Sequence, residues 1–143
     1  MTAQRYLSCM DTSHDAAAAW VAQFRAHWRD GNIDRLRELM HPDTQNLIPP
    51  LREPADREGV IAMFKQTLER MPDLRLEVIR WAASGDAVFL EWAATATVAG
   101  RPIRWQGVDR VRLRDGRTFE GQVYWDTRRV AELFAEAASG AGS

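Results

Sequence analysis

The chain has 143 residues, 45% of them hydrophobic and 27% charged, with nineteen basic against twenty acidic side chains and a net charge of −1. That length suits one domain with its own core, and the balanced charge removes the electrostatic argument for a nucleic-acid or anionic-membrane partner. No apolar run reaches the ~18–20 residues of a membrane span. The stretch Met1–Asp15 lacks the charged-then-apolar layout of a secretory signal, and the single cysteine, Cys9, excludes an internal disulfide and a cysteine metal cage. The expectation is one cytoplasmic domain over 14–138, with a loose arm over 1–13 and a flexible tail over 139–143.

Ser13 or Asp15 is placed to cap a first helix, in which Ala17, Trp20, Val21, Phe24 and Trp28 repeat at helical spacing. Asp30-Gly31-Asn32 stops it. Asp34 is expected to cap a second helix that runs through Met40, ended by His41-Pro42-Asp43. Thr44–Ile48 is a short strand candidate closed by Pro49-Pro50. Ala55–Arg70 then predicts a third helix, with Val60, Ile61, Phe64 and Leu68 facing inward and Pro72 beyond it.

After Pro72 the period changes from 3.6 to two. Leu74–Ala82, Ala87–Val98, Pro102–Arg114 and Thr118–Trp125 read as four strands, separated by Ser84-Gly85-Asp86, Ala99-Gly100 and Asp115-Gly116, which is hairpin chemistry. Asp126 or Thr127 caps a last helix that buries Val130, Leu133 and Phe134. Helices first and a meander afterwards predict an α+β fold rather than a parallel α/β sheet.

That order, with Asp30-Gly31-Asn32-Ile33-Asp34, Met40-His41-Pro42-Asp43-Thr44, Arg57-Glu58-Gly59-Val60, the run Val108–Gly116 and Val123-Tyr124-Trp125-Asp126, resembles the nuclear transport factor 2-like superfamily over about residues 14–138. The resemblance points to the SnoaL-like polyketide cyclase and ketosteroid isomerase-like branch. It implies a cone in which a curved, mixed but mostly antiparallel sheet wraps the N-terminal helices, a cystatin-like α+β barrel. Fold alone does not fix function, because the superfamily holds enzymes, transport factors and scaffolds.

Alternation puts Ile103, Trp105, Gly107, Asp109, Val111 and Leu113 on one inward face, where Asp109 is the single ionisable group. Desolvation there raises a carboxyl pKa and makes a proton donor near neutral pH. The resemblance places Asp109 where ketosteroid isomerase-like enzymes carry a protonated oxyanion-stabilising aspartate, the handling of a carboxyl that such enzymes exemplify. The competing reading is a buried aspartate paired with an arginine or with backbone amides. Other parts of that isomerase site are replaced: its tyrosine falls on Phe24 and its general base on Ile48. The five positions of an epoxide hydrolase-like site hold Trp92, Ala94, Val123, Asn46 and Ile48, which excludes that mechanism.

Trp92, Trp105 and Trp125 point inward from consecutive strands, with Trp28 near them on the first helix. Indoles so placed either stack on a planar ligand or fill the core. Ala94, Ala96, Gly107 and Gly121 favour the ligand by leaving volume. Ligand contacts are accordingly expected from Phe24, Trp28, Ile48, Phe64, Trp92, Trp105, Val123 and Trp125. His27 borders the apolar stripe as a possible acid–base partner, or else lies on the helix surface bonded to water. Asn46 either orients a substrate carbonyl or satisfies a strand end. Asp126 is an acid–base candidate by resemblance and a helix cap by position.

His14, His27 and His41 lack metal-ligand spacing, so no metal and no cofactor are expected. Arg104, Arg110, Arg112 and Arg114, with Glu91, Glu120, Gln122 and Tyr124, form an outer sheet face on which the resemblance implies a homodimer. The leading expectation is a cofactor-free enzyme that cyclises, isomerises or dehydrates a hydrophobic carbonyl metabolite. The alternative is a non-catalytic module of the same fold that binds a hydrophobic ligand or dimerises.

Overall fold

A computed structural model describes residues 13–140. Cys9 and most of the expected arm, and the last three residues of the expected tail, lie outside the described residues. Helix α1 spans His14–Asp30; the Ser13 side chain accepts from the Ala16 N–H at 3.0 Å and opens it. Gly31 closes it with φ of 63°, its N–H bonded to the His27 carbonyl. A left-handed φ here costs glycine little and most other residues more.

The second helix begins and ends earlier than its pattern predicts. Asn32, not Asp34, caps α2 (Ile33–Leu39), its side chain accepting from the N–H groups of Asp34 and Arg35. Met40 turns straight into strand β1 (Met40–Leu47), so His41-Pro42-Asp43 lies in a strand and does not end a helix. Pro42 is tolerated because β1 is an edge strand whose register breaks between Met40 and Gln45. Helix α3 (Arg57–Arg70) begins two residues later than expected because the Asp56 carboxylate caps it at the Gly59 N–H.

Strands β2 (Arg75–Ser84), β3 (Ala87–Val98), β4 (Arg101–Arg114) and β5 (Arg117–Trp125) match the four predicted runs to within two residues at each end. Asp115 and Gly116 both carry positive φ, the geometry that a two-residue hairpin turn requires. The sheet order is β1-β5-β4-β3-β2; β1 pairs parallel with β5, and every other pair is antiparallel. Helix α4 (Thr127–Ser139) follows, capped by Asp126.

Two apolar clusters hold these elements together. One packs Ala17, Trp20 and Val21 of α1 against Val78, Val88, Leu90 and Val111 of the sheet. The other packs Val130 and Ala137 of α4 against Trp92, Ala96, Ile103 and Trp105. The result is the expected α+β cone with a mixed, mostly antiparallel, unclosed sheet. No helix among the described residues is long and apolar enough to cross a membrane.

Candidate functional site

The sheet and the helices line a cavity of about 610 Å³ that reaches residues of both clusters, among them Trp20, Leu39, Leu74 and Trp92. Its wall is mostly apolar and aromatic, and Asp109 is its only carboxylate among the described residues. Eleven of the twelve expected site residues line it: Asp109, Asn46 and His27, together with Phe24, Trp28, Ile48, Phe64, Trp92, Trp105, Val123 and Trp125.

Asp109 stands near the middle of β4, opposite Leu90 on β3 and Val123 on β5. No ion pair reaches it among the described residues; its hydrogen bond comes from the Trp92 indole, whose Nε1–H donates to Oδ1 at 2.8 Å. Burial raises its carboxyl from 3.8 to about 6, with the Trp92 N–H pulling it part of the way back. The arginine-paired alternative therefore does not describe this residue.

His27 is not on the helix surface. It is 1% exposed, its ring tilted on Phe64 with centroids 4.7 Å apart. Its Nδ1 lies 3.1 Å from the Asn32 carbonyl oxygen, which makes Nδ1 the protonated nitrogen of the neutral ring. Nε2 is then a buried acceptor without a partner among the described residues. Burial lowers the His27 pKa, the bond to Asn32 opposes that, and the charge of Arg35 adds to it. The surface position was expected because residue 27 falls beside the apolar stripe; the Gly31 turn folds Asn32 back over it and gives it a backbone partner.

Asn46 is held from both sides. Its backbone exchanges hydrogen bonds with Ala55 at 2.9 and 2.8 Å, and its Nδ2 donates to the buried Thr44 hydroxyl at 3.2 Å. It therefore presents a fixed amide to the cavity. Neither Gly107 nor Gly121 leaves volume for a ligand, contrary to expectation. A Cβ on Gly107 would stand 2.5 Å from the Trp92 ring, and one on Gly121 would stand 2.3 Å from Asn46 Oδ1. The two glycines seat the tryptophan and the asparagine instead.

The structure does not bring Asp126 into this group. It lies in a separate shallow groove beside Arg104, Gln106 and Arg129, and its Oδ1 accepts from the Arg129 N–H at 2.9 Å as a helix cap. Among the described residues no group of three or more His, Cys, Asp and Glu is placed to hold a metal ion.

The family model for the SnoaL-like domain matches residues 21–121, a span that carries His27, Asn46, Trp92 and Asp109. The chain belongs to the SnoaL-like family. Solved structures agree with that. IdmH from Streptomyces antibioticus, a proposed polyketide cyclase, is 25% identical with a TM-score of 0.75, over 83% of this chain and 98% of its own. A proposed SnoaL-like polyketide cyclase from Jannaschia sp. CCS1 is 20% identical with a TM-score of 0.75, over 90% and 97%. AclR from Streptomyces galilaeus, a proposed hydroxylase, is 21% identical with a TM-score of 0.75, over 87% and 98%. The last two likenesses concern the fold. No curated protein matches the chain by sequence.

In this SnoaL-like cavity several lining residues fall outside the sequence expectation. Met63, Thr67 and Arg70 come from one face of α3, and Pro49 and Leu51 from the loop before it. The spacing of four and then three residues in Met63, Thr67 and Arg70 carried the signal. It is masked in the sequence because a threonine and an arginine do not extend an apolar stripe. The Trp125 Nε1–H donates to the Pro49 carbonyl at 2.8 Å and ties that loop to the end of β5.

Proposed function

We propose that this SnoaL-like protein is an enzyme that binds a hydrophobic, carbonyl-bearing metabolite and catalyses its cyclisation, isomerisation or dehydration by acid–base chemistry, without a cofactor. One observation carries the reading: a carboxyl with no ion-pair partner among the described residues stands in an indole-lined cavity, with its pKa raised to about 6. At pH 7 a pKa of about 6 leaves about a tenth of Asp109 protonated, against under about a thousandth for an ordinary aspartate. The protonated Asp109 donates a hydrogen bond, and then its proton, to a substrate oxygen as negative charge develops there. Asn46 orients the substrate through its anchored amide, and the Nε2 of His27 supplies a neutral acceptor on the helix side. Trp28, Trp105 and Trp125 hold a planar body between them. The description of IdmH as a proposed polyketide cyclase supports this substrate class.

One observation favours ligand binding without turnover: no second carboxylate lines the cavity among the described residues. The two readings separate on polycyclic ketones with an enolisable carbon. The enzyme converts one of them, and Asp109→Asn lowers its kcat by about 10²–10⁴-fold while binding persists. Tight binding of such ketones with no product, in wild type and variant alike, establishes the carrier reading instead.

The outer sheet face is read as the surface on which two copies pair. Phe89 and Tyr124 are 40% and 47% exposed there. Around them Arg110 reaches Glu120 at 3.0 Å and the Tyr124 hydroxyl at 3.1 Å, and Arg112 bridges Glu120 and Asp86. A face with both signs of charge interleaved and exposed aromatics among them is complementary to itself after a two-fold rotation.

A further inference from the structure

We infer that Trp92 is a positioning residue for Asp109, and that Gly107 is what admits it: the indole N–H holds Oδ1 of the carboxyl, which leaves Oδ2 as the oxygen that meets the ligand. This inference rests on the reading of Asp109 as the acid.

The strand register makes the arrangement specific. Trp92 on β3 pairs directly with Gly107 on β4, and Asp109 pairs with Leu90. Trp92 and Asp109 are therefore diagonal neighbours on one face, a separation of about 7–8 Å that only a long side chain bridges. To reach 2.8 Å from Oδ1 the indole has to lie across the position of residue 107. A Cβ there would stand 2.5 Å from Cζ2, 2.7 Å from Cη2 and 3.0 Å from Cε2 of the same ring. Those atoms belong to the six-membered ring that carries the indole past the glycine.

The consequences are chemical as well as steric. An N–H fixed on Oδ1 sets the rotation of the carboxyl, so its proton sits on Oδ2. It also stabilises the ionised form, which keeps a desolvated acid from losing all readiness to release its proton. Besides Asp109, the titratable or charged groups that line the cavity are His27 from α1 and Arg70 from α3. Neither is bonded to Asp109 among the described residues.

The test reads Asp109 directly and needs no substrate. In wild-type protein the Trp92 indole N–H resonance moves with pH at the same midpoint as the Asp109 carboxyl. Trp92→Phe raises that midpoint by about one pH unit, because the hydrogen bond to the charged form is gone. Gly107→Ala, which removes no functional group, shifts it in the same direction by pushing the indole away. In the Trp92→Phe background Gly107→Ala adds little, since phenylalanine is shorter and does not lie across residue 107; the two effects are strongly non-additive. An indole resonance that ignores the Asp109 titration overturns the inference, whether or not the variants fold, as does simple additivity of the two substitutions. Full turnover by Asp109→Asn would defeat the acid reading instead, and leaves the indole titration to be judged by itself.

Discussion

Asn46 and Asp109 face one cavity from opposite sides of β5, the first paired with Gly121 and the second with Val123. Two interstrand spacings, about 9–10 Å, separate their strands. Gly121 seats the Asn46 side chain, whereas Val123 stands beside Asp109. A ligand that meets both polar groups carries its own polar atoms well apart along an apolar body.

Asp109 makes the protein less stable as pH rises. Its pKa is higher in the folded chain than the 3.8 of the unfolded chain, so the folded state holds the extra proton between about pH 4 and 6. Stability falls across that window and stays lower above it, by up to about 3 kcal/mol. Asp109→Asn is accordingly expected to leave stability near pH 4 little changed and to raise it at pH 8. Thermal melts of both proteins at the two pH values check this. Destabilisation of the variant at pH 8 would mean that the carboxylate has a cationic partner.

His27 acts in the opposite direction. Its folded pKa lies below 6.5, so the unfolded chain takes up a proton first as pH falls through that value, and stability drops with it. His27→Phe keeps a ring against Phe64 and removes this acid-side loss. It also removes one of the two hydrogen bonds to the Asn32 carbonyl, which keeps the Leu36 N–H at 3.1 Å, at a cost of about 0.5–1.5 kcal/mol that is independent of pH. The expected result is a lower but flatter profile of melting temperature between pH 7 and 5.

Gly121→Ala tests the seat of Asn46. The added methyl would meet Oδ1 at 2.3 Å, and the amide can turn away only by giving up its Nδ2 bond to the Thr44 hydroxyl. A loss of about 1–3 kcal/mol is expected, with weaker binding of ketone ligands seen as reduced quenching of tryptophan emission. Retention of both stability and binding would show that the Asn46 amide moves freely.

Much of this site was legible in the sequence because period two is unforgiving. Once β3, β4 and β5 are fixed by Gly85, Gly100 and Gly116, the inward direction of Trp92, Asp109, Val123 and Trp125 follows from parity alone. What parity cannot convey is what a small residue is for. Gly107 and Gly121 look like empty volume in one dimension and are occupied in three, each by a side chain from the neighbouring strand. His27 shows the converse limit, since its burial depends on a turn that returns a carbonyl to it. Arg70 joined the cavity from a helix face whose polarity hides its direction.

Pairing through the outer face predicts a dimer at tens of micromolar, an order-of-magnitude threshold above the dissociation constants of stable dimers. Phe89→Asp places a charge among the exposed aromatics and next to Glu91, and should yield monomers by sedimentation with little change in melting temperature. A wild-type monomer at that concentration would remove this assignment.

Strand β1 is joined to the sheet by β5 alone, through the one parallel pair, and its partner lies some seventy residues away in the chain. The other four strands are linked by short hairpins. Local pairs form readily and distant ones late, so β2–β5 are expected to assemble first and β1 to dock last. The same seam is the cheapest to open from the finished fold, which predicts faster amide hydrogen exchange in β1 than in β3 or β4. Asn46 sits on the late side of that seam and Asp109 on the early side. On that order the cavity is completed when β1 docks, and a ligand that touches both residues is expected to slow exchange in this edge strand.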